Sequence, residues 1–87
     1  MEIQAATISM GGTQFAVVHS GPELLTQQGE ADMTIERLQP VFGGVPVVLM
    51  ALMGDGSPRY YGDADIVNLL AGVPVDKMPW KDYNVPD

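Results

Sequence analysis

The sequence predicts an α+β fold: a two-layer sandwich in the order β-β-α-β-β-α, with a four-stranded, mainly antiparallel sheet and two helices on one face. Three observations carry this expectation. Two apolar runs, Ile3 to Met10 and Gln14 to His19, are joined by Gly11-Gly12, a pair that tolerates the positive φ of a tight hairpin turn. Ala31, Ile35, Leu38 and Phe42 recur at helical spacing and form one apolar stripe. The unbroken apolar run Val45 to Met53 lies between Gly44 and Gly54, as a central strand would. At 87 residues the chain is expected to be one domain, residues 1–87.

The first hairpin has apolar side chains on both faces of its second strand, Phe15 and Val17 on one, Ala16 and Val18 on the other. Ser20-Gly21-Pro22-Glu23 can open a helical turn, with Ser20 as cap and Glu23 reaching back. Gly29 then argues against one long helix, so the first helix is placed at about Glu30 to Gln39. Glu30 and Asp32 sit in its first turn and Arg37 near its end, as the helix dipole favours. Pro40 interrupts and Gly43-Gly44 releases the chain. Pro46 falls at the start of the third strand, where a missing N–H is tolerated. Gly54-Asp55-Gly56-Ser57 turns back into a short strand around Arg59-Tyr60-Tyr61, and Asp63 caps a second helix carrying Ile66, Leu69 and Leu70. Gly72 and Pro74 end it. Residues 75–87 are expected to be an irregular, proline-containing tail packed on the domain and pinned by Trp80.

Composition narrows function mostly by exclusion. Apolar residues make up 46% and charged residues 17%, the balance of a folded chain. The absence of cysteine removes a disulfide scaffold, a thiol nucleophile and any cysteine-ligated metal. A net charge of −7 argues against binding a phosphate backbone or an anionic membrane, so neither nucleic acid nor membrane is an expected partner. The charge is uneven: residues 1–56 hold Arg37 against six acids (−5), and residues 57–87 hold Arg59, Lys77 and Lys81 against five (−2). That acidic excess either keeps the chain soluble or meets a basic partner. No basic segment followed by an apolar stretch opens the chain, and its longest apolar run has nine residues, so a cytoplasmic protein, bacterial in style, is expected.

Few residues invite catalysis. His19 is the single histidine; acting as a base it would need an acid such as Asp55 or Asp63 beside it. Asp63-Ala64-Asp65 resembles part of a cation loop, but position twelve from Asp63 is Pro74 rather than glutamate, and helix capping accounts for both aspartates. Asp55 between two glycines is turn chemistry. The glycine pairs lack the phosphate-loop pattern, and no lysine precedes Lys77. No metal or cofactor is therefore expected. Of the six methionines, Met10, Met50 and Met53 fall on strands, where core packing accounts for them.

The aromatic residues are more suggestive. Tyr60, Tyr61, Trp80 and Tyr83 occur in the last 28 residues, accompanied by Arg59, Lys77 and Lys81, and tyrosine, tryptophan and arginine are enriched in protein interfaces. The first expectation is a small acidic, non-catalytic protein-interaction module whose partner meets Arg59, Tyr60, Tyr61 and Trp80. A His19-dependent enzyme is the alternative from another class. The run Val45-Pro46, strand, glycine turn, strand and helix over residues 45–72 resembles the second half of the thioredoxin and glutaredoxin fold, where an X-Pro bond precedes the third strand. That resemblance implies a degenerate binding scaffold without redox activity, since no cysteine exists. Finally, two helices on one face would leave apolar side chains bare on the other. A homodimer burying that face is expected.

Overall fold

The computed structural model describes residues 2–86; Met1 and Asp87, the last residue of the expected tail, lie outside the described residues. Five strands form a mixed sheet in the order β4-β3-β2-β1-β5: β1 Glu2–Met10, β2 Thr13–His19, β3 Val47–Leu52, β4 Pro58–Tyr61 and β5 Lys81–Asn84. Three helices accompany them: α1 Pro22–Leu25, α2 Gln28–Leu38 and α3 Ala64–Leu70. Short 3₁₀ turns follow at Gln39–Phe42 and Val75–Lys77.

The hairpin β1–β2 closes through Gly11 and Gly12, at φ 56° and 78°. Two consecutive positive φ values define the turn whose twist matches the flanking strands, and glycine adopts them without cost. β2 then pairs with β3 in parallel, Ala16 opposite Val47 and His19 opposite Met50, so α1 and α2 form the crossover between them. β3 and β4 return to antiparallel pairing, Leu49 opposite Tyr61 and Leu52 opposite Pro58. α2 starts two residues earlier than its apolar stripe suggested and takes in Gly29; its N-cap, Gln27, makes no side-chain bond. α1 is capped by Gly21, not by Ser20, whose backbone N–H instead extends the β2–β3 pairing to the Met50 carbonyl at 2.8 Å. Asp63 caps α3 as expected, accepting from the N–H groups of Asp65 at 2.9 Å and Ile66 at 3.3 Å.

The α+β class holds, but α1 makes three helices where two were expected, and the expected layering needs two corrections. The sheet is mixed and has a fifth strand, because Lys81–Asn84, placed in the irregular tail, pairs antiparallel with β1: Glu2 opposite Asn84 and Ala5 opposite Lys81. Polar, proline-flanked sequence hid this strand. Four residues at a sheet edge need little apolar patterning, because their pairing partner supplies the order.

The helices also lie on opposite faces. On one, Ala31 and Leu38 of α2 pack with Ala5, Ala16, Val18, Val47 and Leu49, joined by half-buried Leu24, Leu25 and Ile35. On the other, Ile66 and Leu70 of α3 pack with Phe15, Val17, Val48 and Met50, and Met78 of the tail completes the cover. Strands apolar on both faces need two covers, and the chain supplies both. With each face covered, the bare apolar face that suggested a homodimer is absent from the described residues.

The passage to the α3 face runs through Gly62. Its φ is 152°, and a Cβ there would stand 3.0 Å from Val48 Cγ2 and 3.3 Å from Val48 Cα. Only glycine lets the chain leave β4 this close to β3.

Candidate functional site

The residues proposed from sequence fall into two places. Arg59, Tyr60 and Tyr61 occupy β4, at one edge of the sheet. Trp80 precedes β5, at the other edge, and reaches inward on the α3 face to His19, with ring centroids 6.3 Å apart. Its indole N–H donates to the Val75 carbonyl at 2.8 Å, so the polar tip is used inside the tail.

Within β4 the two tyrosines part company, as alternation along a strand requires. Tyr61 packs on the α2 face, where its hydroxyl donates to Asp32 Oδ1 at 2.8 Å. That bond, with the nearby negative charge, raises the phenol above its usual range. Tyr60 packs on the α3 face. Its hydroxyl oxygen is sealed from solvent and finds no protein partner among the described residues. Desolvation raises this phenol as well.

The hydrogen-bond phase of β4 follows from its turn. Met53 N–H donates to the Ser57 carbonyl at 2.8 Å, making 53 and 57 a hydrogen-bonded pair. Antiparallel pairs alternate, so Arg59 opposite Ala51 and Tyr61 opposite Leu49 direct their amides inward to β3. Tyr60 directs both its N–H and its C=O outward. Pro58 directs outward a carbonyl and no donor. The free edge therefore presents one complete amide, flanked by exposed Arg59 and by the half-buried Tyr61 ring. Asp55 holds the turn by accepting from Ser57 Oγ at 2.6 Å and Ser57 N at 3.0 Å, bonds that keep its carboxyl below the usual range.

His19 lies exposed at the end of β2. Among the described residues neither Asp55 nor Asp63 is hydrogen-bonded to it; the first is engaged by Ser57 and the second by the α3 amides. Among the described residues no group of three His, Cys, Asp or Glu side chains is arranged to hold a metal ion. No helix among them is long and apolar enough to cross a membrane. An open hollow on the outer side of α2 is lined by Glu30, Met33, Thr34, Glu36 and Arg37. All five come from one helix, so it is a dip in a surface with no second wall.

Asp32 is a neighbour of the candidate residue Tyr61 that the sequence does not single out. It stood out only as an acid in the first turn of a helix. Its contact with Tyr61 spans 29 residues and has no local signature. Comparisons with protein families, with curated proteins and with solved structures gave no match.

Proposed function

We propose that this chain is a small, non-catalytic protein-interaction module whose docking surface is the β4 edge, with Arg59, Tyr60 and Tyr61 as its contact residues. The observation that supports this most is the outward amide of Tyr60 at an open sheet edge, set between an exposed guanidinium and two aromatic rings. An extended segment of a partner can add a strand there, its backbone bonding Tyr60 while its side chains meet Arg59 and Tyr61 on one face. Trp80 belongs to this surface only through the cover it gives the α3 face. Its main work is to hold the tail.

Capture of partners from lysate by the intact chain, compared with an Arg59→Ala, Tyr61→Ala double variant, tests the surface. Loss of a bound protein by the double variant, with an unchanged circular dichroism spectrum, is the expected result. Capture that survives the double variant and fails only in Trp80→Ala would move the surface to the tail side.

A further inference from the structure

We propose that the occupant of the β4 edge is the β4 edge of a second copy, paired antiparallel about a two-fold axis through Tyr60. The inference rests on the docking surface just described and names its partner.

A two-fold axis perpendicular to the sheet keeps each face on its own side, so residues opposed across the new junction must have the same parity along the strand. Hydrogen bonds form only between outward-directed amides. Within β4 these two conditions admit few registers. Centring on Arg59 would oppose two guanidinium groups and would set Pro58, without a donor, against the Tyr60 carbonyl. Centring on Tyr60 pairs its N–H with the partner's Tyr60 carbonyl, and the reverse, giving two bonds at the axis. The same register places Arg59 of each copy directly opposite Tyr61 of the other, on the α2 face. There the guanidinium lies over an aromatic ring whose hydroxyl is bonded to Asp32. Two cation–ring contacts and two Arg59–Asp32 attractions arise from one geometry, in a chain whose net charge of −7 otherwise drives copies apart.

Shortness, proline and charge are also the means by which sheet edges are kept from pairing. Here Pro58 and Arg59 disfavour the slipped register and leave the one centred on Tyr60. A junction of two four-residue strands lies at the small end of specific interfaces, so association in the micromolar range or weaker is expected.

Sedimentation equilibrium of the intact chain, from micromolar to millimolar concentration, should show the mean mass climbing from 9.3 kDa towards twice that value. Exchange of the Tyr60 amide should slow in parallel. Two charge variants then test the register. Arg59→Asp alone opposes two carboxylates, and Asp32→Lys alone opposes two cations, so each should self-associate about tenfold more weakly than the parent or worse. Mixed, they restore an opposite-charge pair at both symmetric positions and should form a heterodimer about as readily as the parent forms its dimer. A parent that stays at 9.3 kDa up to millimolar concentration overturns the proposal, as does a mixture no more associated than its components. If the parent is monomeric yet the Arg59→Ala, Tyr61→Ala variant loses a captured protein, self-pairing falls while the docking surface stands.

Discussion

Replacing Tyr60 by Phe should stabilise the protein. The hydroxyl is sealed from solvent and has no protein partner among the described residues, whereas in the unfolded chain water satisfies it. A buried polar group left unpaired costs about 1–3 kcal/mol. The Tyr60 ring is only half-buried, so the lower end applies and the expected gain is about 1 kcal/mol. At about 2.1 cal/mol/K per residue, an 87-residue domain unfolds with an entropy of about 0.18 kcal/mol/K, and Tm should rise by about 5 °C. Scanning calorimetry at neutral pH measures this directly. The alkaline limb gives an independent check. Folding raises the Tyr60 phenol above its ordinary value near 10, so the unfolded chain ionises first. The contribution is fully present below the unfolded pKa and is lost as pH rises through the folded one. Tyr60→Phe should therefore lose stability less steeply above pH 10 than the parent does. A variant that melts lower than the parent at neutral pH would refute the reasoning, since the hydroxyl would then be making a bond worth more than its burial costs.

Asp63→Ala removes both side-chain bonds at the start of α3 and should cost about 1 kcal/mol, read as a lower denaturation midpoint with an unchanged slope. Gly62→Ala should cost about 2 kcal/mol, because the new Cβ meets Val48 and the backbone is at positive φ; Gly29→Ala, with open space around it in α2, should instead be neutral or gain about 0.5 kcal/mol. Met78→Ala opens the cover of the α3 face and should cost about 2 kcal/mol. The emission of Trp80, the single tryptophan, should shift to the red in that variant before global unfolding.

Much of the fold was legible because local chemistry dictates it. Gly11-Gly12 fixes a hairpin, the stripe through Ala31 and Leu38 fixes α2, and Asp63 fixes the start of α3. Which face a helix covers is a different kind of fact. Both faces of β2 and β3 are apolar, so no residue on those strands states where α3 must lie. The chain crosses to that side at Gly62, where an added Cβ would crowd Val48 across the strand pair. β5 was hidden for a related reason: its order comes from β1, not from its own four residues. Of the candidate site, the chemistry of Arg59, Tyr60 and Tyr61 could be named from sequence, but not their phase at an edge. That phase follows from the bond between Met53 and Ser57.

The pairing of β1 with β5 also sets a timetable. Glu2 lies opposite Asn84, so of the five strands the one that pairs with the outer side of β1 is synthesised after the other four. Until that segment joins the fold, β1 offers a nine-residue edge to any neighbouring chain, and the α3 face lacks Met78 and Trp80. A chain truncated after residue 74 would keep that edge bare and that face incomplete. Chains ending at that point should be the ones that chaperones retain and that aggregate when chaperones are scarce.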